Sequence, residues 1–157
     1  MVPLCSTRRA RAFSLIELVL TLSIISAVAA IAVPRYTRAQ ERYRVERAAH
    51  RLVIDLEYAA TLARVTSAEV KVHFEKGSEA DESFYWFEGV ADPDHPDQDY
   101  TVLLRDEPYR VVLAEAPGDI TYRIDGSPES SRTFIVQAGD AARTVHVNHT
   151  SGQVTVN

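Results

Sequence analysis

The sequence has almost no cysteine: one residue, Cys5, in a chain of 157. No disulfide can close within such a chain, and no metal site built on several thiolates is possible. Cys5 does not serve as a lipoprotein acylation site either, since no apolar signal core precedes it, and it is read as incidental. Also missing are a Gly-rich phosphate loop, a nucleophile elbow and any paired catalytic motif, so the reading is of a protein that is not an enzyme and needs no cofactor. Cationic charge is scarce where most of the chain lies. Residues 52–157 carry 8 basic against 19 acidic groups, a net -11 within a total of -5. Such a surface repels a phosphate backbone, which argues against nucleic acid as a partner. The length suits one globular domain with a modest core.

What is present is concentrated at the N-terminus. Residues 1–12 carry Arg8, Arg9 and Arg11 and no acid, and residues 35–51 set six arginines against Glu41 and Glu46. Between these basic blocks, Phe13–Val33 reads FSLIELVLTLSIISAVAAIAV, apolar or small except for Glu17. As a helix these residues extend about 31 Å, the thickness of a bilayer's hydrocarbon core. A cleavable secretory signal fits poorly, because the apolar run is too long and no small-residue cleavage region follows it before Arg35. An ordinary signal anchor leaves Glu17 unexplained. An ionisable group in a membrane span costs several kcal/mol and marks function. If the chain is cut between Ala12 and Phe13, the new α-amino group of Phe13 becomes a counter-charge at similar depth. Glu17 of one subunit can then pair with the amine of its neighbour, each offsetting the other's desolvation.

The run Arg-Ala-Phe-Ser-Leu-Ile-Glu-Leu, Arg11 to Leu18, resembles the cleavage and methylation motif of type IV prepilins and type II secretion pseudopilins. The resemblance implies that a prepilin peptidase cuts after Ala12, that Phe13 becomes the N-methylated first residue, and that Glu17 is the acidic residue at the fifth mature position. It also matches Pro34 to a helix-bending proline; a proline there removes one backbone donor and kinks a helix on its own physics. Ala12 departs from the glycine usual before the cut. Arginines flank the span on both sides, so charge bias does not orient it, and a cytoplasmic N-terminus with a periplasmic C-terminal domain is what the resemblance implies.

After Pro34, residues 35–64 contain no Gly or Pro and favour continued helix. Val45, Ala49, Leu52, Leu56, Ala59 and Ala63 recur at intervals of four and three, a stripe expected to pack on the protein's own sheet. Arg35, Arg38 and Arg42 form a second row, read as a solvated face touching lipid headgroups, with pairing to acids of a neighbouring subunit as the alternative. From Val70 the period shortens to strand-like runs at Val70–Phe74, Phe84–Phe87, Tyr100–Leu104, Arg110–Ala114, Ile120–Ile124, Thr133–Val136, Thr144–Val147 and Val154–Val156. One long helix followed by eight short strands predicts an α+β domain with mostly antiparallel pairing. The loops Lys76–Ser83, Ala91–Asp99 and Asp125–Arg132 are expected to be polar and mobile. The expected organisation is a leader at 1–12, a membrane helix at 13–34, its amphipathic continuation at 35–66 and a periplasmic β-rich domain at 67–157.

This order, ending in the hairpin TVHVNHTSGQVTV with Gly152 near its turn, is similar to the GspH and FimT-like minor pseudopilins, and implies the pilin-like fold of a long N-terminal helix on an antiparallel sheet domain. The Gly-Thr-Asp-Gly-Tyr-type segment of major pseudopilins is not found, which favours a minor subunit. The implied function is a structural role in a type II secretion pseudopilus at the bacterial inner membrane, with prepilin peptidase, other pseudopilins and the inner-membrane secretion platform as partners. Two alternatives are a minor pilin of a pilus or DNA-uptake apparatus and a binding domain on an ordinary anchor. Among other candidate sites, Asp92, Asp94, Asp97 and Asp99 could offer oxygens to Ca²⁺, but they lack a central Gly and a closing Glu, so a solvated acidic loop is the plainer reading. His146 and His149 lack a third zinc ligand. The sequon Asn148-His149-Thr150 carries no weight in a bacterial envelope protein.

Overall fold

A computed structural model describes residues 13–76, 83–114 and 118–157. One α-helix, α1, covers Leu15–Thr66, and the strands are β1 (Val70–Glu75), β2 (Phe84–Ala91), β3 (Asp99–Leu103), β4 (Val112–Leu113), β5 (Ile120–Tyr122), β6 (Arg132–Ala138), β7 (Ala141–Val147) and β8 (Val154–Val156). The chain divides into two units, Met1–Thr37 and Arg38–Asn157.

In the first unit the described residues are helical from Leu15, and their apolar side chains are exposed throughout, from Phe13 at 78 % to Val33 at 60 %. Nothing in the unit buries them. The hydroxyls of Thr21, Ser23 and Ser26 each donate back to a carbonyl three or four residues earlier, on Leu18, Val19 and Leu22, at 2.8 Å. Their polarity is thereby satisfied within the helix, as an apolar medium demands. Pro34 lies inside α1. It has no N–H to offer the carbonyl of Ala30, and its own carbonyl accepts the Thr37 hydroxyl at 3.0 Å.

In the second unit α1 buries Val45, Ala48, Ala49, Leu52, Asp55, Leu56, Ala59, Ala60 and Ala63. All six positions of the expected stripe are among them. Alanines at five of the nine buried positions let strands approach the helix closely. The helix ends where Ser67 takes a left-handed conformation, φ 51°, a geometry that terminates helices and that glycine usually supplies. Among the described residues eight strands follow, all pairing antiparallel, in two four-stranded sheets rather than one: β3-β2-β1-β5 and β4-β6-β7-β8. Each sheet buries one face, as the alternation of Val70, Val72 and Phe74 against Lys71, His73 and Glu75 shows. Both inner faces join the helix stripe in one core cluster. Phe74 of one sheet meets Phe134 of the other with ring centroids 4.4 Å apart.

Strand boundaries depart from the sequence reading for local reasons. The span expected at Arg110–Ala114 shrinks to Val112–Leu113, because Arg110 has φ 47° and cannot sit in a strand. β2 runs on to Ala91 through an irregularity in its pairing with β3, where Gly89 has φ 70°. Two loop expectations are corrected. Ser83, at the end of a segment read as polar and mobile, is 2 % exposed; its hydroxyl accepts from the Leu113 amide and its carbonyl from the Leu104 amide. Residues 77–82 of that loop lie outside the described residues. The Asp125–Arg132 segment is pinned. Ser127 donates to Asp125 through amide and hydroxyl, the Arg123 amide donates to Ser127, and Gly126 packs so closely on α1 that a Cβ would lie 2.6 Å from the Ala60 carbonyl oxygen.

Candidate functional site

The residues read as the processing and assembly site fall at the start of the helix. Ala12, with Cys5 and the leader arginines, lies outside the described residues. Phe13 precedes α1 and Glu17 stands in its first turn, where a carboxylate complements the exposed amides and positive end of the helix dipole. Glu17 is exposed and makes no ion pair or hydrogen bond among the described residues. Across Phe13–Val33 the hydroxyls of Thr21, Ser23 and Ser26 are satisfied inside the helix, and Glu17 is the one ionisable side chain, without a partner among these described residues. Glu17 follows Phe13 by four residues. α1 is long and apolar enough to cross a membrane, with a window of mean hydropathy 2.4.

Beyond the span, Arg38 and Arg42 are exposed on α1, as is Arg35 in the first unit. A second helix face attracts notice in the Arg38–Asn157 unit. Tyr43, Arg47, Ile54, Tyr58 and Val65, spaced by four and seven, lie opposite the buried stripe at 100° per residue. Tyr43, Ile54, Tyr58 and Val65 are 59, 60, 47 and 78 % exposed, and the Arg47 guanidinium lies 4.4 Å from the centre of the Tyr43 ring. A solvent-facing helix surface is ordinarily polar; this one sets two tyrosines, an isoleucine and a valine beside Arg47, and the Tyr58 ring also packs 6.1 Å from that of Phe87.

Sequence reading missed the polar group at the centre of the domain. Asp55, 4 % exposed, sits within the apolar stripe between Leu52 and Leu56. Its carboxylate accepts from Tyr85 Oη at 2.6 Å, from Arg51 Nε at 2.9 Å and from Tyr100 Oη at 3.3 Å, and Arg51 also donates to the Tyr100 hydroxyl. Burial, reinforced by the Asp55 charge, pushes the Tyr85 hydroxyl well above its ordinary value and raises Tyr100 as well. Burial alone would lower Arg51, but Asp55 and its hydrogen bond outweigh that and hold the guanidinium charged. The cluster ties α1 to β2 and β3. With its carboxylate satisfied by donors from all three elements, it acts as a structural tether. The signal was visible as an acid in register with an apolar stripe, four residues after an arginine.

The remaining candidates resolve into turn chemistry. Asp92 Oδ1 accepts from the amides of Asp94 at 2.7 Å and His95 at 3.3 Å, the turn-forming use of an aspartate. Among the described residues no group of three or more His, Cys, Asp or Glu is placed to hold a metal. His146 Nδ1 bonds the Thr133 hydroxyl, His149 Nδ1 bonds the Pro128 carbonyl, and Asn148 Oδ1 accepts from the amides of Thr150 and Ser151 in the β7–β8 turn.

Comparison with known proteins bears on both units. The family model for the prokaryotic N-terminal methylation motif matches residues 7–33. Two crystal forms of the type IV minor pilin FimU of Pseudomonas aeruginosa strain PAO1 share the architecture. One is 18 % identical with a TM-score of 0.51, over 74 % of this chain and 90 % of that one. The other is 16 % identical with a TM-score of 0.50, over 71 % and 91 %. Identity this low shows the fold alone. No curated protein matches the sequence. The chain thus has a pilin-like fold, a long N-terminal helix on antiparallel sheets. It carries the prepilin-type methylation motif, which implies processing by a prepilin peptidase and assembly with other pilins.

Proposed function

We propose that this protein is a minor pseudopilin, a structural subunit of a type II secretion pseudopilus. It enters the inner membrane with its N-terminus cytoplasmic and its acidic domain periplasmic, is cut between Ala12 and Phe13, is methylated on Phe13, and leaves the bilayer by exchanging lipid contact for contact with neighbouring subunits. The observation that carries the reading is Glu17, the unpartnered carboxylate of an apolar exposed helix, four residues after Phe13 and within the motif matched at residues 7–33. A carboxylate there is costly to a simple anchor and useful to a subunit whose neighbour brings an amine. The exposed stripe from Tyr43 to Val65 fits docking on other subunits.

A second reading, a minor pilin of a type IV pilus, is favoured by the shared fold with the minor pilin FimU. Deleting the gene in its host and measuring secreted protein and surface pili tests both. Loss of secretion with pili intact supports the pseudopilin, and loss of pili with secretion intact replaces it with the pilus reading. If neither changes while the chain keeps residues 1–12, the protein is an ordinary anchored domain.

A further inference from the structure

A cavity of about 470 Å³ is lined by three arginines, Arg44 on α1 and Arg105 and Arg110 in the β3–β4 connection. Glu41 and the β6 end at Gln137–Gly139 complete its wall. Arg44 is half-buried and makes no ion pair or hydrogen bond among the described residues. Arg105 and Arg110 lean on their chain neighbours, at 3.6 Å from Asp106 and 2.9 Å from Glu107, in exposed pairs that an incoming anion can replace at little cost. Arg110 holds its place with φ 47°, in the left-handed region that a non-glycine residue seldom adopts. Glu41, the one acid in the wall, is turned over Gly139, where a Cβ would lie 2.6 Å from its carboxylate.

The cavity lies at the end of this unit where α1 enters it, level with Glu41 and Arg44. In the sequence these residues follow Val33 by eight and eleven positions, and Arg38 and Arg42 add positive charge to the same stretch. Guanidinium groups match phosphate oxygens with paired donors, and basic clusters next to a span recruit anionic headgroups.

We propose that Arg44, Arg105 and Arg110 form a binding site for the phosphate of an anionic phospholipid headgroup, which the acidic remainder of the domain would otherwise repel. The site would hold the domain against the membrane before the subunit is extracted. The inference rests on the reading of Phe13–Val33 as a membrane span.

The test uses the full chain in nanodiscs of equal parts phosphatidylcholine and phosphatidylglycerol, and in detergent with the same two lipids added, with lipid adducts counted by native mass spectrometry. Phosphatidylglycerol adducts should exceed phosphatidylcholine adducts, and the excess should fall on the order of tenfold in the Arg44→Gln/Arg110→Gln variant. An Arg105→Gln single variant should fall by less, and Arg123→Gln, elsewhere on the surface, should match the unsubstituted chain. Equal adducts of the two lipids, or an excess untouched by the double substitution, would overturn the proposal. Inorganic phosphate binding as tightly as the lipid would make this a free-phosphate site and overturn the headgroup source. Short duplex DNA displacing the lipid through the same arginines would overturn it in favour of nucleic acid. A chain that fails to enter nanodiscs would sink the span and the inference with it, whereas insertion without lipid preference would sink the inference alone.

Discussion

Glu17 and Asp55 are carboxylates on the same helix with opposite circumstances, and each supports a prediction at the scale of a single residue. Glu17 has no partner among the described residues and its proposed one is the amine of another subunit. Glu17→Gln keeps the shape and removes the charge, so membrane insertion should be unchanged or slightly higher, since a buried neutral amide costs less than a carboxylate. Co-purification with other filament subunits should fall, because the neighbouring amine then lacks a counter-charge. Undiminished co-purification would refute the pairing. Asp55 has three donors and is nearly sealed from water. Asp55→Ala leaves the Arg51 charge and the Tyr85 hydroxyl without their acceptor and should cost about 3 kcal/mol, read as a lower urea midpoint. The same cluster predicts alkaline behaviour. Tyr85 and Tyr100 have native values raised above their ordinary 10.0, so their contribution is complete below that pH and is lost as pH rises through the raised native values. Melting temperature should therefore drop as pH climbs past about 10, and less steeply in Tyr85→Phe.

Among the elements, α1 shows how one helix serves two environments. Its first half is satisfied within itself down to the serine hydroxyls, and its second half presents alanines to two sheets. The contact with least tolerance is Gly126, where φ 76° and the carbonyl of Ala60 leave no room for a side chain. Gly126→Ala should destabilise the domain by on the order of 2 kcal/mol, combining left-handed strain with a clash against helix backbone. Thermal unfolding at or above the unsubstituted temperature would mean that the β5–β6 turn moves away from α1 without penalty. Ser67, left-handed without being glycine, predicts the reverse. Ser67→Gly should raise stability by roughly 0.5–1 kcal/mol, because the helix stop no longer crowds a Cβ.

For the whole molecule, the division after Thr37 predicts that the β-rich unit does not depend on the apolar helix for its core, since the core cluster begins at Val45. A chain truncated to begin near Arg38 should be soluble, monomeric at moderate concentration, and melt cooperatively with both helix and strand signals in circular dichroism. An unfolded product would show that residues before Arg38 are needed. The full chain extracted from its host membrane should have the intact mass of residues 13–157 with a methylated amine, and a mass retaining residues 1–12 would remove the processing step from the proposed function.

How much of this was legible in the sequence depends on the range of the interaction. The apolar run from Phe13, its lone Glu17, the helical stripe from Val45 to Ala63 and the eight extended runs were readable, because each is a pattern between residues within a few positions of one another. The alternation of Val70, Val72 and Phe74 already named a buried face. Tertiary structure alone decided that the strands divide into two sheets meeting at Phe74 and Phe134, since pairing partners lie too far apart in sequence for periodicity to select them. It alone put Ser83 in the core and pinned the turn at Gly126 against Ala60, because burial of a polar or glycine residue is decided by what distant chain it meets. It also decided that Asp55 is a tether rather than an exposed acid. The sequence carries the carboxylate and the nearby arginine, but the two tyrosines that neutralise the cost of burying it are 30 and 45 residues away and reach it only when β2 and β3 fold onto the helix.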